Sequence, residues 1–412
     1  MRGVVPRRTS RDIRSDSMID VLHAVLSAGE TTRNDLMRST GLSPATVVTI
    51  VNELIEADVL AETKVSAGRV GRPTSIFGMN AARGRILGID VAETYVRATM
   101  FDTALNQVSY TESARDEHVL EPGSIVETIG LVVDELLQSE GVCREGVLGA
   151  GISLPGLIQE PSGMAVVVPN WEWRSVELDR LRERVGLPLV IDNPLKAMVN
   201  AERWLGRGRS AASLATVNLG TGVGAGIVLE GEVLRGATNS AGEWGHSLLM
   251  LDGRLCRCGR RGCVEAYIGV PGIQHTLREL APSHPLADVE LQSDFISLLA
   301  HAAESSTPDD AARETVARTA YYLGSALADL VAVVNPDVVT LTGWTTWALG
   351  GQLLSPARER MRSQSPGRAG AAVELEISAV RGNPVVTGIA MIALERSLVD
   401  AGLLTTRIPV VL

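Results

Sequence analysis

The chain has 412 residues, of which 45% are hydrophobic and 21% charged, with a formal net charge of −10 at pH 7. This is the balance of folded domains with cores of their own, and it excludes a disordered or low-complexity chain. No apolar run reaches the roughly 18 residues of a membrane span, and the basic start "MRGVVPRRTSRDIRSDS" lacks the apolar segment of a secretory leader, so a cytoplasmic protein without a membrane partner is expected.

Charge is unevenly spread: residues 1–85 carry a net +3, and residues 86–412 carry −13. A basic head on an acidic body suits a nucleic-acid module joined to a small-molecule domain. In the head, "IDVLHAVLSAGETTRNDLMRSTGLSPATVVTIVNELIEADVLAETK" predicts three helices and a strand. The first helix puts Met18, Ile19, Leu22 and Leu26 on one face, and the second starts at a Thr cap and stops at Gly41. The third has Ser43 as N-cap and Pro44 at its first position, with Val47, Ile50, Val51, Leu54 and Ile55 as its buried stripe. Two helices joined by a tight glycine turn make a helix-turn-helix, whose second helix enters the DNA major groove. "VLAETK" and "TSIFGMN" flank the tip "VSAGRVGRP" as the strands of a wing, and its arginines suit a narrow minor groove. Residues 1–82 are therefore expected to form a winged helix-turn-helix domain that touches DNA through Ser43, Ala45, Thr46, Thr49, Asn52, Arg69 and Arg72.

Residues 83–412 alternate strand-like and helix-like segments, the pattern of an α/β domain with two similar lobes. "RILGIDVAE" and "YVRATMFD" predict a hairpin, "IVETIGLVVDELLQS" a helix, "VLGAGISLPG" a strand and "ATVNLGTGVGAGIVLEGEVL" a strand–glycine turn–strand. Long helices follow over "TVARTAYYLGSALADLVAVV" and "PVVTGIAMIALERSLVDAG", around the strand "PDVVTLTG". Three of the four cysteines, Cys256, Cys258 and Cys263, fall within eight residues. With His246 they offer three thiolates and an imidazole, a closed tetrahedral set that saturates a structural Zn²⁺ and leaves no position for water. Gly259 and Gly262 let the backbone return Cys263 to the ion, while Gly245 and the loop "SLLMLDGRL" let His246 reach it. Cys143 reads as an unrelated thiol.

The segments "GISLPGLI", "VPNWEW", "NLGTGVGAGIVLEGEVLRGATNSAGEWGH" and "CRCGRRGCVE" resemble those of the ROK family of repressors, open reading frames and sugar kinases, on the actin-like ATPase fold. The cysteine run, with a Gly-His ten residues upstream, is similar to that family's zinc signature, and the N-terminal module resembles its repressor branch. The resemblance implies a sugar pocket served by Gly156, Asn170, Asn193, Glu243, His246 and Glu265.

The same resemblance argues against catalysis. Phosphoryl transfer needs a base on the acceptor hydroxyl and an anion cradle for the nucleotide. The family's Glu-Asn-Asp-Ala-Asn corner aligns with Asp192, Asn193, Pro194, Leu195 and Lys196, so a proline stands at the catalytic position. The family's first phosphate loop, Asp-x-Gly-Gly-Thr-Lys, aligns with Asp90-Val91-Ala92-Glu93-Thr94-Tyr95, and its nucleoside-side Gly-Gly with Gly343-Trp344. The second loop, Gly220-Thr221-Gly222-Val223-Gly224, is intact. The expectation is a sugar-responsive regulator, a repressor of carbohydrate uptake or catabolism genes. It would bind an inverted-repeat operator as a homodimer or homotetramer, and it would not be an enzyme. The alternative is an active ATP-dependent sugar kinase that uses Asp192 as base.

Overall fold

The computed structural model of the protein describes residues 9–66, 74–92, 94–114, 122–158, 166–167, 178–305, 309–380 and 382–405. Helix α1 (Ser10–Ala28) opens with a reciprocal cap: the Asp12 N–H donates to Thr9 Oγ1 at 3.3 Å and the Thr9 N–H to Asp12 Oδ2 at 2.8 Å. After β1 (Glu30–Thr31), helix α2 (Arg33–Thr40) starts on the Thr32 hydroxyl and ends at Gly41, whose φ of 68° is left-handed. Helix α3 (Pro44–Glu56) follows after one more turn, and the Thr46 N–H donates to Ser43 Oγ at 3.2 Å, so cap and proline stand as expected. Strands β2 (Leu60–Ser66) and β3 (Thr74–Met79) pair antiparallel, and β1 pairs along the other edge of β3. Arg69 and Arg72 lie outside the described residues.

Met18 and Leu22 of α1, Leu36 of α2, Val47, Ile50, Val51 and Leu54 of α3 and Phe77 of β3 are each at most 2% exposed and form the core of this part. The α1 face differs from the expected one. Val21 and Val25 are buried, whereas Ile19 and Leu26 are half-exposed, because the face through Ser15, Met18, Leu22 and Val25 is the one that packs on α2, α3 and the small sheet. Ile55 is half-exposed as well, on the flank of α3.

Two five-stranded sheets follow. The first comprises β4 (Arg85–Val91), β5 (Tyr95–Asp102), β6 (Gln107–Ala114), β7 (Val147–Ser153) and, beyond the short strands β8 (Leu157–Ile158) and β9 (Val166–Val167), β10 (Leu189–Asp192). Its order is β10-β7-β4-β5-β6, an antiparallel meander extended by two parallel strands. Helices α4 (Pro122–Ser139) and α5 (Leu178–Val185) lie between its strands in the chain, and α6 (Pro194–Leu205) leaves β10. The second sheet repeats the plan with β11 (Leu214–Leu219), β12 (Val223–Leu229), β13 (Glu232–Val233), β14 (Val338–Thr342) and β15 (Glu374–Ile377) in the order β13-β12-β11-β14-β15. Between β13 and β14 come α7 (Glu265–Ile268), α8 (Val270–Leu280), α9 (Gln292–Glu304) and α10 (Asp310–Val334); α11 (Trp344–Gln364) and α12 (Ala369–Ala372) precede β15, and α13 (Pro384–Asp400) closes the chain.

By contacts the chain divides into two compact units. The first holds the described residues up to Val166, those from Leu178 to Ala197 and those from Asn383 onward; the second holds Val167 and Met198–Gly382. In the second, Val217, Leu219 and Leu341 of the sheet join Ile273, Phe295, Leu323, Leu327 and Leu353 of the helices in one buried core. In the first, α13 comes into backbone contact with the sheet at its glycines. An added Cβ would stand 2.1 Å from Val386 O at Gly88 and 2.2 Å from Ile389 O at Gly151, and one on Gly388 would stand 1.7 Å from Ala197 O in α6. Beyond α13, Leu404 is buried and the Thr405 N–H donates to Ser15 Oγ of α1 at 3.1 Å.

Candidate functional site

The second unit gathers His246, Cys256, Cys258 and Cys263, whose ligand atoms all lie within 4.8 Å of one another. Cys256 Sγ is 3.8 Å from His246 Nδ1, and Cys258 Sγ is 3.7 Å from Cys263 Sγ. Edges of this length are those of a tetrahedron around an ion bound at about 2.0–2.3 Å, so the donor set fits zinc. The backbone makes it possible: Gly262 (φ 77°) lies so close to Met250 O that a Cβ would stand 1.8 Å from it, and short bridges pair Leu248 with Cys263 and Leu255 with Arg261. Burial pushes the Cys256 thiol up to about 12 and raises Cys263 as well. Burial also opposes ionisation of Cys258, but the Arg260 N–H and guanidinium outweigh it and lower that thiol. A bound cation would displace these protons.

Arg254 pins this loop to the helices behind it, and nothing in the local sequence marks it. Its guanidinium donates to Gly272 O and Thr276 Oγ1, each at 3.0 Å, pairs with Glu279 at 2.5 Å, and lies 4.7 Å from the centre of the Tyr267 ring.

Glu265 is 6% exposed and faces the same loop. The Cys256 thiol donates to its Oε1 at 3.6 Å, Arg257 Nε lies 3.8 Å from that oxygen, and its Oε2 accepts the Val223 N–H at 3.0 Å. Glu243 is exposed and shares one short turn, Glu243–His246, with His246. The Val223 N–H belongs to the second glycine loop, so the Glu265 carboxylate is bonded to the backbone of that loop. The Trp344 side chain lies against the same loop: a Cβ on Gly220 would stand 2.9 Å from its indole Nε1. Gly343 beside it has φ 91°, and a Cβ there would stand 2.4 Å from Leu219 O.

In the first unit the carboxyl ends of three adjacent parallel strands carry one row, Asp90 on β4, Ser153 on β7 and Asp192 on β10. All three are buried, and Ser153 Oγ has no hydrogen-bond partner among the described residues. Asp90 Oδ2 accepts from Tyr95 OH at 2.8 Å and from Asn383 Nδ2 at 3.0 Å. Burial raises the Asp90 carboxyl against these two bonds, and burial together with Asp90 raises the Tyr95 phenol. Asp192 Oδ1 accepts the Asn193 N–H at 2.9 Å, and Asn193 Oδ1 caps α6 by accepting the Lys196 N–H at 3.0 Å. Pro194 is the first residue of that helix. Gly156 holds φ 101°, a conformation that favours glycine. Asn170 and Glu93 lie outside the described residues.

On α3, Ser43, Ala45, Thr49 and Asn52 are exposed and Thr46 is half-exposed. The helix therefore presents these five residues as one surface.

Two sheets of shared plan, with glycine turns at their strand ends and a Cys/His loop in the second, define an α/β protein of the actin-like ATPase fold. The chain belongs to the ROK family, whose model matches residues 86–395. It is 25% identical over 379 residues to a xylose repressor of Caldicellulosiruptor bescii, covering 90% of this chain and 94% of that one. It is also 30% identical over 310 residues to a glucokinase of Halalkalibacterium halodurans, covering 73% of this chain and 92% of that one. Among solved structures, a ROK family transcriptional regulator homologous to the E. coli Mlc protein superposes with a TM-score of 0.75 at 24% identity, over 95% of this chain and 97% of that one. No helix among the described residues is long and apolar enough to cross a membrane.

Proposed function

We propose that the protein is a cytoplasmic, sugar-responsive transcriptional repressor of carbohydrate uptake or catabolism genes. Residues 1–82 would act as a winged helix-turn-helix on an inverted-repeat operator, and residues 83–412 as the effector-binding and self-associating domain of a homodimer or homotetramer. The observation that carries this reading is that side chains of the chain itself lie on both nucleotide-phosphate loops, with the Glu265 carboxylate on a backbone donor of the second. Tyr95 engages Asp90 at the first loop, and Trp344 and Glu265 engage the second. A kinase must leave the backbone donors of its phosphate loops open for ATP, and Glu265 takes one of them, the Val223 N–H. The xylose-repressor relative, matched along nearly its whole length, supports the same reading.

The thiols and His246 are read as a closed structural zinc site. Gly156, Asn170, Asn193, Glu243, His246 and Glu265 are read as sugar contacts, as the family resemblance implies. Thermal melting with a panel of sugars, xylose and glucose first, and ATP–Mg²⁺ in a separate arm, tests the proposal. Ligand at about a hundred times its dissociation constant stabilises by roughly 2.7 kcal/mol, a shift of a few degrees. A shift with one sugar and none with nucleotide is expected, together with an operator affinity that this sugar changes. The glucokinase relative favours a second reading, an active kinase with Asp192 as base. Turnover at ordinary enzyme rates in a coupled hexose assay would establish it and sink the first.

A further inference from the structure

The polar side chains on the outer face of α3 are already engaged, and this decides what the helix can read. The inference rests on the DNA-binding reading above. Ser43 Oγ and Thr46 Oγ1 share a hydrogen bond of 2.8 Å at the cap. The Thr49 hydroxyl donates to Ala45 O at 2.9 Å within the helix, which leaves its methyl as the outward group. Asn52 Oδ1 accepts from Arg33 Nη2 at 3.0 Å, and the Arg33 guanidinium carbon lies 5.5 Å from the centre of the buried Phe77 ring. The arginine is thus held from two sides, by an amide oxygen and an aromatic face.

A free asparagine reads adenine by accepting from its N6 amino group and donating to N7. In Asn52 the oxygen is turned to Arg33, which orients the amide so that its Nδ2 hydrogens are the group presented outward. We propose that Asn52, its amide held by Arg33, reads as a donor and selects guanine, whose N7 and O6 are both acceptors. Ala45, Val48 (44% exposed) and the Thr49 methyl present an apolar strip beside the pair, which fits the C5-methyl groups of neighbouring thymines. Arg33 then acts on specificity by fixing the amide of Asn52.

The test is selection of duplexes from a random-sequence library by the full-length chain, with sequencing of what is retained. The wild type is expected to enrich a half-site with guanine at one position beside thymines. Arg33→Ala frees the Asn52 oxygen, so the preferred base at that position should change from guanine to adenine, with about tenfold discrimination. Arg33→Lys keeps a donor against the oxygen and should keep guanine, and Asn52→Ala, at an exposed position, should lose the preference whether or not Arg33 is present. Adenine at that position in the wild-type half-site, the same base selected after Arg33→Ala, or guanine preference surviving Asn52→Ala would each overturn the inference while leaving DNA binding intact. No enriched sequence from the wild type would overturn the DNA-binding reading and this inference with it.

Discussion

Tyr95 and Asn383, 288 positions apart in the chain, donate to the same oxygen of Asp90, at 2.8 and 3.0 Å. Burial raises the Asp90 carboxyl, so folding disfavours its charged form; the associated stability is full below the unfolded pKa and is lost as pH rises through the folded one. The two donors limit that loss because they favour the carboxylate. Tyr95→Phe should therefore cost more at pH 8 than near pH 4, by about 1–2 kcal/mol. Urea midpoints at the two pH values check this, and equal costs would mean that Asp90 does not ionise in the folded chain.

Metal removal should loosen the second unit. Metal analysis of the purified chain should find about one zinc per protein, and a strong chelator or Cys258→Ser should lower the melting temperature by several degrees. Retention of full stability without metal would reduce the cluster to ordinary thiols.

The two glycines against Trp344 and Leu219 should respond differently to alanine. At Gly343 the left-handed φ of 91° and a carbonyl 2.4 Å from the new Cβ leave no escape, and a cost above about 3 kcal/mol is expected. At Gly220 the obstacle is the edge of a half-buried indole, which can shift, so about 1 kcal/mol is expected. Chemical denaturation of both variants measures the difference.

Arg254→Ala should cost about 3 kcal/mol or more, since it removes donors to two carbonyl or hydroxyl oxygens and leaves Glu279 without that partner. Arg254→Lys should recover little, because a single ammonium cannot replace a planar fork stacked on Tyr267. Recovery of wild-type stability by lysine would show that charge alone matters.

What could be read from the sequence follows the range of the interactions. The cap and proline of α3 and the left-handed stop at Gly41 are each set by neighbours in the chain, and the Cys/His cluster falls within 18 residues, so composition and spacing reveal them. The buried face of α1 was partly missed because it is set by packing against α2, α3, β1 and β3, which the local sequence does not show. β1 has two residues and no periodicity to detect. Arg254 reaches partners 12 to 25 positions away, and Arg33 reaches Asn52 across 19; a lone arginine gives no local sign of such a partner. Tyr95 and Trp344 were legible as departures from the family pattern, but that each is turned onto its own loop is a fact of packing.

The three glycine contacts of α13 have a mechanical meaning. Where backbone meets backbone with no side chain between, there is no rotamer to absorb a displacement, and a close-packed interior transmits strain rather than dissipating it. A shift of α6 at Ala197 must therefore be answered by α13 at Gly388, and the same rod ends four residues before Leu404 and five before Thr405, whose N–H is bonded to α1. Within the first unit, movement at the helix that Asn193 caps has a stiff, short route to the first helix of the chain.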